Sequence, residues 1–212
     1  MNVGKTAVAE WAGKLGRTAI HKRPVEHRVP VHPNGLAGDE RADQKHHGSP
    51  DQAVYAYARE DYDWWEGRLG RELPDGRFGE NLTTIGVDVG GAVIGERWRV
   101  GSALLEVTGP RVPCVVFRNW MDEPGWLKRF TEAGRPGAYL RVIEVGELGA
   151  GDGVTVVSRP GPGVTVADSF LARHGDRDAL RRILAVPGHA ARWDELAERL
   201  LEPGEATEPL TV

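Results

Sequence analysis

Between positions 17 and 157 short apolar runs alternate with polar residues at a period of two and are interrupted by glycine, the texture of a compact β structure with inserted helices. The clearest hairpin lies in AVIGERWRVGSALLEVTG. There Trp98 and Val100 alternate with Arg97 and Arg99, Gly101 and Ser102 supply the turn, and Ala103, Leu105 and Val107 alternate on the return strand. GAYLRVIEV and GVTVVS predict two more strands, separated by a glycine-rich turn region from Gly146 to Gly153, and TAIHKRP is also strand-like. Together these runs predict a mainly β body, a barrel or curled sheet, with no internal repeat.

The period changes in two places inside that body. Ser49-Pro50-Asp51-Gln52 predicts a helix start, with Ser49 as cap, Pro50 in the first turn and Gln52 closing a capping box. An approximate stripe of Val54, Tyr57, Ala58, Trp65 and Leu69 then carries the helix to a stop at Gly70. A second helix is expected from Pro124 to Ala133, ending at Gly134 and burying Trp126, Leu127 and Phe130. After SRPGPGV the pattern becomes helical throughout: VADSFLARHG, DRDALRRILAV and HAARWDELAERLLE predict three short helices, the first opened by Thr165 and Asp168 in a capping-box-like start. The expected organisation is a β body over residues 1–160, a three-helix subdomain over 164–203 and a tail over 204–212. Such helices suit a small bundle, a homodimer contact or a partner-docking appendage.

Composition narrows the function classes. With 212 residues, 40% of them hydrophobic, the chain can build a substantial core. A net charge of −4 with both signs interspersed argues against general nucleic-acid or membrane-surface binding, so any basic pocket must be local. A single cysteine excludes an internal disulfide framework and an iron–sulfur cluster held by four cysteines, so electrons for any redox role come from elsewhere. The opening MNVGKTAVAEWAGKLG has no long apolar core, and the expected location is the cytoplasm.

That cysteine, Cys114, follows Gly109-Pro110-Arg111-Val112-Pro113, where two prolines stiffen the approach and Arg111 would favour the thiolate, the form that attacks electrophiles or binds soft metals. A small buried structural residue is the competing reading. A second polar concentration, Gly38 to Gly48, brings Asp39, Asp43, His46 and His47 to the start of the helix expected at Ser49, where an anion could sit. A polar loop would read the same way. Zinc fits poorly, because adjacent histidines in an extended segment diverge and no HExxH spacing occurs. No GxSxG elbow supports a serine hydrolase, while a Cys114 hydrolase using His46 or His47 stays open. Lys22, Arg23, Arg111 and Arg135 would form a phosphate-binding rim if the fold gathers them, and Glu80 and Asn81 could order a loop or touch a ligand.

The segments KRPV, GLAGDERAD, HHGSPDQAVYAY, FGENLTT, IGERWRVG, PRVPC and GRPGAYLRV, in this order, resemble the MOSC domain, the family related to the C-terminal domain of molybdenum cofactor sulfurases. The likeness spans nearly the whole chain and includes a three-helix extension like that of bacterial hydroxylaminopurine-resistance proteins of the YiiM type. It implies a β-barrel that binds the molybdenum cofactor (molybdopterin), with Cys114 as sulfur ligand to molybdenum or as sulfur carrier. It also implies Lys22, Arg23, Asp39, His46, Gly48, Asp51, Glu80, Asn81 and Arg111 as pocket positions, with Arg135 added from the cationic rim. The implied reaction is reduction of an N-hydroxylated small molecule such as a hydroxylamino base analogue, with Asp39 or His46 as proton donor and an external reductase as electron donor. The alternative is a carrier of sulfur or cofactor. Sulfurases that join this domain to a pyridoxal-phosphate desulfurase give a partner example, but this chain is too short to hold that larger domain. Ser49 and Gln52 stand where the family pattern is HGGPDK or HGGPDR, and Gly109 stands where glutamine is common.

Overall fold

The computed structural model describes residues 1–201 and, at His46, the backbone alone; the expected tail and the last two positions of the helical subdomain lie outside the described residues. The strands are β1 (Asn2–Gly4), β2 (Ala7–Val8), β3 (Arg17–Thr18), β4 (Lys22–Pro24), β5 (Val29–His32), β6 (Gly35–Leu36), β7 (Val54–Ala58), β8 (Leu82–Thr84), β9 (Arg97–Val100), β10 (Ala103–Pro110), β11 (Ala138–Glu144), β12 (Gly146–Leu148) and β13 (Val154–Ser158). The helices are α1 (Gln44–His47), α2 (Arg59–Leu69), α3 (Val115–Met121), α4 (Trp126–Ala133), α5 (Val166–Arg173), α6 (Arg177–Leu184) and α7 (Arg192–Leu200).

A curled six-stranded sheet in the order β13-β9-β10-β11-β7-β8 forms most of the barrel body, and a three-stranded sheet β12-β5-β6 supplies more of its wall. All pairings are antiparallel except β7 with β8, which α2 connects as a crossover. The predicted hairpin is present: Val100 faces Ala103, and Gly101 takes φ +53°, the positive φ that a two-residue hairpin turn of the II′ kind asks of its first residue. Further along β10 the register shifts between Val107 and Gly109, a bulge that bends the strand as it enters Pro110 and Arg111. Gly109 has φ +155° there, a conformation L side chains rarely adopt, which accounts for glycine at that position.

The helix expected from Ser49 to Gly70 is three elements. Pro50–Gln52 is one 3-10 turn, capped by Ser49, whose hydroxyl accepts from the Asp51 amide; β7 follows, and only then α2, which stops at Gly70 in the left-handed region. All five residues of β7 are buried. A strand covered on both faces shows no alternation, so its apolar run imitates a helix until pairing with β11 and β8 decides the matter. The region from Gly146 to Gly153, expected as turns, contains β12, which pairs Gly146 with Val31 and Leu148 with Val29. TAIHKRP is strand only at its two ends, in β3 and β4. The segment carrying His46 and His47 is one helical turn and not extended chain.

Two buried clusters sit on either side of the sheet. Val31, Val54, Trp98, Leu105 and Leu140 belong to the barrel core. Tyr57, Trp65, Phe78, Phe117, Trp126 and Phe130 form an aromatic layer between the sheet and α2, α3 and α4. The ring centroids of Trp126 and Trp65 lie 4.6 Å apart, and Tyr57 stacks on Phe78 at 4.3 Å. The three C-terminal helices follow, as the sequence predicts. Val166 and Phe170 of α5 join the barrel and aromatic clusters, whereas Leu180, Ile183 and Trp193 make a third cluster among α5, α6 and α7. The linker before them is tied down at Glu96, which accepts from Arg159 Nε at 2.6 Å and from Trp98 Nε1 at 2.7 Å. Among the described residues no helix is long and apolar enough to cross a membrane.

Candidate functional site

A cavity of about 460 Å³ opens between α1, the turn at Pro50–Gln52, the start of β11 and the N-terminus of α3. Cys114 is the residue immediately before α3, on the cavity wall. The stiff Pro-Arg-Val-Pro approach and the bulge at Gly109 aim its sulfur inward. Arg111 is buried beneath it, donating to the Phe78 carbonyl and lying over the Phe117 ring at 4.0 Å and the Tyr55 ring at 5.2 Å. Gly79 makes room for this guanidinium: a Cβ there would come within 3.3 Å of Arg111 Nη1 and 3.0 Å of Ile20 Cγ1.

His47 lines the same cavity. Burial pushes the Cys114 thiol up, but a hydrogen bond with His47, the Arg111 charge and the Phe117 amide outweigh it and bring the thiol to about 7. His47 is held through its backbone: Arg41 Nη1 donates to the His47 carbonyl at 3.1 Å, and the same guanidinium reaches the carbonyls of Asn34, Ser49 and Ala53. Burial lowers the pKa of Arg41, with Asp39 opposing it.

In the lining of the same cavity, Lys22 Nζ lies 2.5 and 2.7 Å from the two oxygens of Asp39, and both side chains are almost fully buried. Asp39 also accepts from the Gly4 amide at 2.7 Å and from Asn81 Nδ2 at 3.0 Å. Burial lowers Lys22, with Asp39 opposing that effect. Both carboxylate oxygens are therefore occupied, and the geometry makes Asp39 an anchor for Lys22 in place of the proton donor expected from the sequence. Asn81 spans the same network, its Oδ1 accepting from the Tyr55 amide at 3.1 Å.

Of the residues singled out from the sequence, the fold brings Lys22, Asp39, Asn81, Arg111 and Cys114 to one cavity. The expected cationic rim does not close as one patch. Arg23 is exposed and its neighbour Lys22 turns inward, as successive strand residues must. Arg135 pairs with Asp61 and lies 4.8 Å from the Trp64 ring, lining a separate hollow beside α2. Asp51 is exposed and pairs with Arg141, and Gly48 lines a neighbouring hollow behind Arg41. Glu80 is buried below the site, where one oxygen accepts from Tyr62, Thr83 and the Gly76 amide, so it orders the loop from Gly76 to Thr83. The side chain of His46 lies outside the described residues. Among the described residues no group of three His, Cys, Asp or Glu side chains could hold a metal.

Sequence reasoning paired His47 with the cysteine only as one of two histidines of a hydrolase and left it out of the cofactor site, and it passed over Arg17, Tyr139 and Gly79, all of which line the cavity. The paired histidines were the available signal for the first. The apolar walls are Leu15, Ile20, Val115 and Tyr139, and Arg17 stands at the mouth with no ion pair among the described residues.

Comparison with known proteins finds relatives along most of the chain. The family model described as the MOSC domain matches residues 43–155. Protein YflK of Bacillus subtilis is 33% identical over 91% of this chain and 89% of its own length. YiiM of Escherichia coli is 31% identical over 86% of this chain and 84% of its own. A protein named Reductase from Gibberella moniliformis is 34% identical over 71% of this chain, which corresponds to only 28% of that protein. Among solved structures, YiiM from Geobacillus stearothermophilus superposes with a TM-score of 0.72 at 29% identity, covering 95% of this chain and 97% of that one.

Proposed function

The chain belongs to the MOSC domain family and is of the YiiM type, and from that premise we propose that its cavity binds a molybdenum cofactor and reduces N-hydroxylated compounds to amines. The family is associated with this cofactor. The donor set of the cavity fits such a group: a soft thiolate on one wall, the buried cations Arg111 and Lys22, the latter paired with Asp39, the exposed Arg17, and apolar walls for a flat heterocycle. The volume falls within the usual range for a small-ligand site, about 300–1,000 Å³.

Cys114 would ligate molybdenum, while Lys22 and Arg17 would hold the cofactor phosphate. When bound, the cofactor supplies the two-electron oxygen-removal chemistry. The conversion of R–NHOH to R–NH₂ and water consumes two electrons and two protons, so the chain's own residues must hold a proton near the sulfur. His47 is the side chain placed to do so. Arg41 keeps His47 in register through its carbonyl, and Asp39 with Asn81 keeps Lys22 directed into the cavity. Leu15, Ile20 and Val115 give the cavity an apolar side. The electrons come from an external reductase.

The observation that carries this reading is a thiol at about 7 opening into a cavity that is also lined by Arg17, Lys22, Arg41 and Arg111. It is tested by supplying cofactor-loaded protein with a reductase system and a hydroxylamino base analogue. Amine formation that disappears in Cys114→Ser supports it, and undiminished turnover in that variant overturns it. The activated thiol also supports a second reading, a carrier of sulfur or cofactor on Cys114, which predicts transfer to an acceptor protein with no need for an electron donor.

A further inference from the structure

Beside the cavity mouth the fold leaves apolar side chains uncovered. Glu10–Leu15 is a pair of short turns joined by a kink at Gly13, φ +68°, and it packs along α3. Trp11 stacks on Trp120 of α3 with ring centroids 5.8 Å apart, His21 meets the same ring at 5.0 Å, and Asn119 Nδ2 donates to the Trp11 carbonyl at 2.6 Å. These contacts hold the lip in place. Even so, Trp11 is 39% exposed, Leu15 42% and Val115 48%. Leu15 and Val115 line the cavity itself, so the uncovered surface runs into the site. Apolar surface left open at the edge of a site marks an interaction surface, and tryptophan and arginine carry much of the energy at such surfaces.

The charges of this lip are mostly of one sign. Lys14, Arg17 and Arg118 are exposed and make no ion pair among the described residues, and Glu10 is the single acid from Glu10 to Thr18 and along α3. Arg118 Nε donates to Asn119 Oδ1 at 3.0 Å, which places its guanidinium beside the residue that holds Trp11. The next acids, Asp122 and Glu123, lie past the end of α3, where Glu123 pairs with Arg71. Of the three acids in the cavity lining, Asp39 and Glu40 are paired with Lys22 and Lys5. On a chain of net charge −4 this is a local cationic field. It disfavours a second copy of the chain, because a two-fold contact would set the patch against itself and bring like charges together. It suits an acidic partner.

We propose that the lip formed by Trp11, Lys14, Leu15, Val115 and Arg118 is the docking surface for an acidic electron-transfer protein. The inference rests on the functional reading above, which needs an external donor: each R–NHOH converted to R–NH₂ and water takes up two electrons and two protons, and the docked protein is oxidised by those two electrons. Val115 is the chain neighbour of Cys114, so a protein seated here closes over the cavity that holds the sulfur. Trp11 is the apolar anchor of the contact, and Lys14 and Arg118 steer the encounter.

The test uses the full chain made in a cofactor-competent host, as wild type, the double variant Lys14→Glu/Arg118→Glu, and Trp11→Ala, with a hydroxylamino base analogue as substrate. Two kinds of donor are compared: reduced flavodoxin or ferredoxin, which are small acidic proteins, and reduced methyl viologen, a small organic cation that needs no docking surface. With the protein donors at low ionic strength, kcat/KM for the donor falls about 10- to 100-fold in the double variant and about 10-fold in Trp11→Ala. The wild-type value declines as salt is raised. With methyl viologen all three proteins turn over alike, which shows that fold and site are intact in each. The proposal is overturned if the variants match wild type with the protein donors, if they lose viologen-driven turnover to the same extent, or if wild type accepts electrons from methyl viologen and from neither acidic protein. Wild-type protein that turns over with none of these donors would overturn the functional reading itself, and this inference with it.

Discussion

The rate at which Cys114 reacts with iodoacetamide in the cofactor-free protein reports the electrostatics of the site directly. Burial pushes the thiol up, and the His47 hydrogen bond and the Arg111 charge more than reverse this, taking it from an ordinary 9.0 to about 7. At pH 7 about half of the Cys114 population is then thiolate, against about 1% for a thiol at 9.0. A less basic thiolate is a weaker nucleophile, and a Brønsted coefficient of about 0.4–0.5 makes it roughly 8-fold slower per thiolate. The net expectation is alkylation about 6-fold faster at pH 7 than for an ordinary thiol at 9.0, with a rate–pH midpoint near 7. His47→Ala removes the largest favourable influence, so its midpoint rises toward 9.0 and its rate at pH 7 falls. Stopped-flow or mass-spectrometric alkylation between pH 5 and 10 measures both. A wild-type midpoint at or above 8.5, or superimposable profiles for wild type and His47→Ala, would refute the reasoning.

Other consequences are accessible to similar means. Arg41→Ala frees the carbonyls of His47, Ser49 and Ala53, and should raise the Cys114 midpoint in the same assay without touching the sulfur. Asp39→Asn leaves the buried Lys22 ammonium without its counter-ion and should lower stability by about 3–5 kcal/mol in urea unfolding. Trp126→Ala opens a cavity between Trp65, Phe117 and Phe130, for an expected loss of about 3–5 kcal/mol in the same measurement. Burial raises the Glu80 carboxyl above its unfolded value, so the stability it contributes is complete below pH 4.5 and declines as pH rises through its folded value. Glu80→Gln should flatten that part of the stability–pH curve, and an unchanged curve would show that Glu80 does not titrate in this way.

Local pattern carried the elements whose burial is one-sided. β9 alternates because one face is covered, and its turn at Gly101-Ser102 marks the hairpin even though Ala103 to Val107 of β10 is buried throughout, while α4 ends at its own Gly134 and α5 and α6 open on the caps Thr165 and Asp176. β7 was illegible for the opposite reason: Val54 to Ala58 is covered on both faces, which erases the period and lets Ser49-Pro50 pass for the start of a long helix. α3 escaped notice because no capping side chain marks its start, only Cys114. At the site, the residue types were visible in the chain while their pairings were not. Asp39 is saturated by groups 17, 35 and 42 positions away, at Lys22, Gly4 and Asn81, and nothing local announces that these meet. Arg23 and Arg135 looked equivalent to Lys22 and Arg111 as charges, but strand alternation and the Asp61 pairing direct them elsewhere. Motif order across the chain supplied what spacing could not, which is why the family resemblance located the Cys114 cavity better than any single segment.

The account depends on Cys114 holding a metal in this cavity, and elemental analysis of protein made in a cofactor-competent host tests that most directly. Stoichiometric molybdenum in the wild type, lost in a Cys114→Ser variant whose circular dichroism and melting temperature are preserved, is the predicted result. Wild-type protein free of molybdenum, or a serine variant that retains it in full, would contradict the account.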